Sequence, residues 1–303
     1  MHRNRNVYHT CMADGKIKTI KSIFPTTRGM EHKAFKMFAE GTEVILISVE
    51  GNIGAGKSTG LGKFKLKFSD YIRIGTTKGR EKCAKIIYVD EPLTQWMAKP
   101  TPSEFYNFPQ VPLEKSMLEY LYTDPKTFAF AFQVNAFTTR VSALSDAIKK
   151  ELANGQTDNC YVIIMERSIL SDRWFMKLHT ESGNIHPMFT VVYDFFYDYV
   201  AKPTEELIKG VLFINTNADI CYERQKKRAR EGEEPITLEY LKKVEDAHKD
   251  MRQYCYDQGK HLMIELGDGS QADRLLMQLV SDVLEYGWKN EDESVIHIYS
   301  FKE

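Results

Sequence analysis

Five short apolar runs punctuate the chain, at residues 44–49, 86–90, 161–165, 211–215 and 262–266. Each is too short for a buried helix, and the first is apolar almost without alternation, which is the pattern of a strand covered on both faces. The stretches between them have helical character. Asp124-Pro125 opens one at 125–152, because aspartate caps a helix and proline suits its first turn. Thr237 offers a cap to another, in which Leu238, Leu241 and Val244 share a face. Strands alternating with helices predict an α/β fold with a five-stranded parallel sheet flanked by helices. In such sheets ligand groups gather beyond the C-terminal strand ends.

The residues at those ends are chemically coherent. The first strand runs into Gly51-Asn52-Ile53-Gly54-Ala55-Gly56-Lys57-Ser58-Thr59, which fits the phosphate-loop pattern G-x-x-x-x-G-K-[ST] without a mismatch. Glycines there let backbone N–H groups turn toward phosphate oxygens, and a helix begins with its positive end toward the anion. Lys57 reaches terminal phosphates in this motif, and Ser58 is the expected Mg²⁺ ligand. The second strand ends in Asp90-Glu91-Pro92, the third in Glu166-Arg167-Ser168, and the fifth in Gly267-Asp268-Gly269, a turn placed to border a nucleotide base. After the fourth comes a helix with Arg224, Lys226, Lys227, Arg228 and Arg230.

Phosphoryl transfer needs positioning and cancellation of negative charge. Arg224 and Arg228, four apart, face one side of a helix, and Arg230 starts the turn Glu231-Gly232-Glu233-Glu234-Pro235. The segment 224–235 is therefore read as an Arg-rich lid over the γ-phosphate, the plainer alternative being a solvated charged helix face. An acceptor hydroxyl needs a carboxylate to take its proton. Glu91 is assigned as that base and Glu166 to Mg²⁺ or its water shell, with the exchanged assignment as the alternative. Arg167 is placed to bridge the acceptor oxygen and the incoming phosphate.

Composition narrows the class. The 303 residues are 43% hydrophobic and 12% aromatic, enough for a sizeable core, and the net charge of -1 implies no general attraction to nucleic acid. No apolar run reaches membrane-spanning length, so a soluble protein without a membrane partner is expected. Five scattered cysteines without a C-x-x-C pair suit a reducing compartment and give no zinc site. A cytoplasmic location is expected, with a mitochondrial one as the alternative. Residues 1–43 are basic and turn-rich and read as a poorly ordered extension; 44–288 form the catalytic domain and 289–303 a peripheral tail. Residues 73–85 read as a surface insertion.

With these motifs assembled, the chain resembles the deoxyribonucleoside kinases, the family of deoxycytidine, deoxyguanosine and mitochondrial thymidine kinases. The matching stretches are 50–59, DEPLTQW at 90–96, LEYLYTDPKTFAFAFQVNAFTTR at 118–140, ERSILSDR at 166–173, and 224–241. Together they span nearly everything from 44 to 288, and E-P-x-x-x-W, F-Q within a helix and E-R-S-x-x-S-D-R are not general phosphate-loop features. The resemblance implies a P-loop kinase fold, ATP as phosphate donor, Mg²⁺, a deoxynucleoside acceptor and a homodimer. It implies that Tyr122 and Glu233 bind the 3′-hydroxyl. Trp96, Leu118 and Phe132 would wall the pocket, with Gln133 hydrogen-bonded to the base edge. Arg140 and Asp172, with small Ala136, resemble the set used by members that select deoxycytidine or purine deoxynucleosides over thymidine; a structural ion pair is the alternative. Where the family places a second aromatic against the base, this chain is expected to have Met176, with Trp174 nearby.

Two alternative functions fit the residues less well. A thymidylate-type monophosphate kinase needs extra cations near the second strand, and 91–96 has none. A non-catalytic kinase-like structural subunit is expected to lose phosphate-loop or base residues first, yet Lys57, Glu91, Arg167 and Arg228 are all present.

Overall fold

Strands buried on both faces build the centre of the sheet. The computed structural model describes residues 8–13, 16–21, 38–75, 81–102, 113–153, 155–286 and 296–300. Its strands are β1 (Tyr8–Ala13), β2 (Lys16–Lys21), β3 (Glu43–Gly51), β4 (Tyr71–Gly75), β5 (Glu81–Val89), β6 (Cys160–Glu166), β7 (Ile208–Ile214), β8 (His261–Leu266) and β9 (Ile296–Ser300). Seven of them form one sheet in the order β4-β5-β6-β3-β7-β8-β9. The five expected strands are its centre and are mutually parallel, with β3 in the middle. Leu46, Ile163, Val211 and Phe213 point to one face, while Ile45, Ile47, Val162, Leu212 and Ile214 point to the other.

The sheet is larger than five strands. Part of the supposed insertion at 73–85 is instead an antiparallel hairpin of β4 with β5, which begins at Glu81 rather than at 86. Ile72 and Ile74 are buried, alternating with exposed Tyr71 and Arg73. That is one-sided strand alternation, as suits an edge, and two apolar residues among charges gave it no continuous run. At the opposite edge β9, from the 289–303 tail, pairs parallel to β8 with Ile296 opposite Leu262. Within 1–43, β1 and β2 pair antiparallel, Tyr8 opposite Lys21; the rest of the expectation for 1–37 falls outside the described residues.

Ten α-helices are described: α1 (Lys57–Lys67), α2 (Leu93–Met97), α3 (Met117–Thr123), α4 (Pro125–Leu152), α5 (Ile169–Glu181), α6 (Met188–Phe196), α7 (Lys202–Glu205), α8 (Ala218–Arg228), α9 (Leu238–Asp257) and α10 (Ala272–Tyr286). The cap readings hold. Asp124 accepts from the Thr127 N–H at 3.3 Å, and Thr237 accepts from the Tyr240 N–H at 3.1 Å. Helices α4 and α5 cover one face of the sheet, and α1 and α10 the other. The buried stripe of α4 includes Phe132, Gln133, Ala136 and Arg140, so this helix delivers four expected pocket residues from one face. No helix among the described residues is long and apolar enough to cross a membrane.

Candidate active site

The phosphate loop joins β3 directly to α1. Gly54 (φ 83°) and Gly56 (φ 101°, the N-cap of α1) lie in the left-handed region, and a Cβ on Gly54 would meet the Cys221 carbonyl oxygen at 2.5 Å. Asn52 pins the loop to α9 by donating to the Leu241 carbonyl at 2.8 Å, and Thr216 donates to the Ala55 carbonyl at 3.0 Å. Lys57 is buried, and its Nζ donates to the carbonyls of Gly51 (3.1 Å) and Asn52 (2.8 Å). Burial, helped by the positive charge of Arg167, lowers its pKa to about 8 against the pull of Glu166, Glu91 and Glu50. The Ser58 hydroxyl donates to Glu166 Oε1 at 2.7 Å, so the two oxygens expected at Mg²⁺ already converge.

Glu91 sits between two guanidinium groups. Its Oε1 lies 3.3 Å from Arg140 Nη2 and 3.4 Å from Arg167 Nε. Burial works to raise its pKa, but Arg167, Arg140 and Lys57 outweigh burial and hold the carboxyl below the usual range. It is therefore ionised at neutral pH and able to accept a proton. Arg140 also grips Asp172 with two bonds, Nε to Oδ2 at 3.0 Å and Nη2 to Oδ1 at 3.1 Å, and lies 5.1 Å from the Trp96 ring centre. Both members of this pair are buried. Opposed by burial but supported by Asp172 and Glu91, the guanidinium keeps its charge more firmly than usual.

Arg167 adopts a left-handed backbone (φ 57°), uncommon for a side chain of this size, and its N–H donates to the Val49 carbonyl at 3.0 Å. The residue after it is anchored by a group that the sequence reading passed over. Glu50 is fully buried and accepts from the Ser168 N–H and hydroxyl, both at 2.9 Å, and from the hydroxyls of Ser48 and Ser171. The serines of E-R-S-x-x-S-D-R thus hold the strand end in place. Arg167 Nη1 is buried with no protein partner.

A cavity of about 590 Å³ connects these groups. Ile53, Gly54, Gly56, Lys57, Ser58 and Thr59 line one part of it with Arg224, Arg228 and Arg230. Glu91, Trp96, Leu118, Tyr122, Phe132, Gln133, Ala136, Arg140, Glu166, Arg167, Asp172 and Glu233 line the remainder. Gly51, Asn52 and Ala55 back the loop without lining the cavity. In the lid, Arg224 donates to the Asp268 carbonyl at 2.7 Å, while Arg228 and Arg230 both bind Glu233. Lys226 points elsewhere, to the Glu234 carbonyl.

One expected pocket residue is misplaced. Met176 is buried in the core cluster and does not line the cavity; Phe175 does, with its ring 5.2 Å from the Arg167 guanidinium. Both flank Asp172 on α5, Phe175 toward the cavity and Met176 toward the core. Nearby Trp174 packs against Tyr254 in a tilted contact, with ring centres 5.0 Å apart, and is also absent from the lining. Tyr240, which meets Tyr122 edge-on at 5.9 Å, and Ser270 at the donor-side turn were likewise unanticipated. Tyr240 lies inside the 224–241 match, so that stretch carried its signal.

A phosphate loop on a doubly covered parallel sheet, opening into a pocket with an ionised carboxylate between two arginines, defines a P-loop phosphotransferase. The Deoxynucleoside kinase family model matches residues 47–283. The chain is 32% identical over 209 residues to deoxycytidine kinase 2 of Gallus gallus, covering 67% of this chain and 72% of that one. It is 26% identical over 221 residues to Homo sapiens deoxycytidine kinase (71% and 78% covered), and 27% identical over 214 residues to the mitochondrial deoxyguanosine kinase of Xenopus laevis (68% and 72%). The fold matches the structure of deoxyadenosine kinase from M. mycoides with bound dCTP, with a TM-score of 0.53 at 21% identity, over 78% of this chain and 100% of that one. The chain belongs to the deoxynucleoside kinase family, enzymes that phosphorylate deoxynucleosides.

Proposed function

We propose that the enzyme transfers the γ-phosphoryl group of ATP to the 5′-hydroxyl of a deoxyribonucleoside in nucleotide salvage, favouring deoxycytidine or a purine deoxynucleoside over thymidine. The observation that carries this is Glu91, ionised and held at 3.3–3.4 Å by Arg140 and Arg167 in the cavity that the phosphate loop also lines. Glu91 accepts the hydroxyl proton as the oxygen attacks. Arg167, with a buried and unpartnered Nη1, stabilises charge passing between acceptor and phosphate. Lys57 and the lid arginines neutralise the donor phosphates. The Ser58 hydroxyl and Glu166 carboxylate, 2.7 Å apart, are the oxygen donors that would hold an oxygen-preferring Mg²⁺. The ion would add positive charge beside the transferring group.

Base preference rests on the bidentate Arg140–Asp172 pair, with Gln133 and Ala136 beside it on α4. A base that leaves buried donors unpaired is penalised. The names of the chicken, human and frog relatives agree with this preference. A homodimer is supported by α6 and its continuation, where Met188, Val191, Phe195, Phe196 and Tyr199 are exposed together. The cytoplasmic reading, with mitochondria as alternative, is open to imaging of the tagged full chain.

Initial rates with ATP and Mg²⁺ for the four deoxynucleosides and their monophosphates test the proposal. Deoxycytidine or a purine deoxynucleoside should be fastest. Activity confined to monophosphates would refute it.

A further inference from the structure

We propose that Glu233 is a positioning residue for the lid, holding Arg228 and Arg230 in one arrangement and tying that arrangement to the sugar end of the cavity. The inference rests on the phosphotransfer reading above and goes beyond a role for Glu233 as a hydroxyl ligand.

The carboxylate is nearly inaccessible at 3% exposure, and both oxygens are engaged: Oε2 accepts from Arg228 Nη2 at 2.5 Å and Oε1 from Arg230 Nη1 at 2.9 Å. An exposed pair three residues apart would be worth little. Here the anion is buried, and these two guanidiniums pair with its charge. The turn that presents it is fixed independently. Helix α8 stops at Arg228, and Ala229 and Gly232 take left-handed conformations (φ 48° and 84°). A Cβ on Gly232 would meet Glu119 Cγ at 2.8 Å, so the turn presses on α3, the helix that carries Tyr122. Gln225 Nε2 donates to the Glu233 carbonyl at 2.8 Å, and the Glu233 N–H donates to the Arg230 carbonyl at 3.1 Å.

Valence permits the double role. Each arginine spends one N–H on Glu233 and keeps the rest of its five-donor fork for phosphate oxygens. A carboxylate offers about four lone-pair sites, so a sugar hydroxyl can join without displacing either guanidinium. Glu233 therefore stands between the two substrates, able to align donor-side cations while contacting the acceptor.

The test compares wild type, E233Q, R228A/R230A and the triple variant. The readouts are calorimetric affinity for a non-hydrolysable ATP analogue with Mg²⁺, hydrogen exchange over 224–236, and turnover of a deoxynucleoside and its 2′,3′-dideoxy counterpart. E233Q should weaken analogue binding by about tenfold, the loss of one charge-assisted contact, and speed exchange of the lid. Its turnover defect should persist on the dideoxy acceptor, and the triple variant should bind the analogue as the arginine double variant does. Unchanged analogue affinity and exchange, with a raised acceptor KM that disappears for the dideoxy compound, would overturn the proposal. Should E233Q not fold, R228A/R230A tests the same coupling from the other side. Its truncated side chains are partly exposed, and acceptor affinity must change with them gone; unchanged acceptor affinity overturns the proposal. Wild type inactive on every deoxynucleoside would defeat the phosphotransfer reading alone, since analogue affinity and lid exchange still decide the role of Glu233.

Discussion

Replacing Lys57 by methionine should stabilise the ligand-free enzyme while removing its turnover. The ammonium is buried, and burial with the nearby Arg167 charge brings its pKa from an ordinary 10.5 to about 8. That fall corresponds to about 3 kcal/mol by which folding disfavours the charged form. Methionine has similar length and no charge, but it leaves the Gly51 and Asn52 carbonyls without their donor. The loss offsets about 1–2 kcal/mol. The net gain at pH 7 is about 1–2 kcal/mol, a rise of about 2–3 °C in the unfolding midpoint. The pH dependence gives a sharper check. Below about pH 8 both folded and unfolded wild type carry the proton, and the full penalty applies. Between about 8 and 10.5 only the unfolded state holds it, so wild-type stability rises with pH relative to the variant. Urea unfolding at pH 7 and pH 9.5 should therefore show the advantage of Lys57→Met shrinking by about 2 kcal/mol. Turnover should fall about 10²–10³-fold, as expected when a charge that stabilises the transferring phosphoryl group is removed. A variant that is less stable at pH 7, or whose difference from wild type is flat with pH, would refute the reasoning.

Other changes probe the acceptor half and the assembly. Glu91→Gln should lower kcat by about 10²–10⁴-fold while calorimetry finds nucleoside affinity largely kept; wild-type turnover would remove Glu91 as the base. Arg140→Met should cost about 3–5 kcal/mol in chemical denaturation by stranding buried Asp172, and adding Asp172→Leu should recover part of that. In the single variant Glu91 also loses a guanidinium that holds its pKa down, so the acid limb of kcat/KM should move to higher pH. The proposed homodimer is tested on the exposed α6 face: wild type should sediment as a dimer and Phe195→Glu as a monomer, while a monomeric wild type would refute the dimer and an unchanged dimer would refute this interface.

How legible the site was depended on how local its determinants are. The phosphate loop, the five central strands and the caps at Asp124 and Thr237 are written in contiguous residues, because glycine spacing, apolar runs and capping side chains act within a few positions. Strand β4 escaped notice because a one-sided edge strand buries only alternate residues, here Ile72 and Ile74. Phe175 was missed in favour of Met176 because both flank Asp172 on α5, and helical periodicity alone does not say which flank meets the cavity. The likeness at 166–173 ended just before the residue that mattered.

By itself the sequence determined that this is an α/β phosphate-loop enzyme with carboxylates and arginines at its strand ends. Only the tertiary structure decided which charges meet. Glu91 lies 49 positions from Arg140, and Ser58 lies 108 from Glu166, yet each pair is in contact. Contacts made by the fold set the ionisation of Glu91, through Arg167 and Arg140 against burial, and that of Lys57, through burial and Arg167, because an electrostatic interaction depends on distance and burial in space, neither of which chain spacing encodes. They also gave Glu233 two arginine partners, where the sequence had offered only a hydroxyl ligand in an acidic turn.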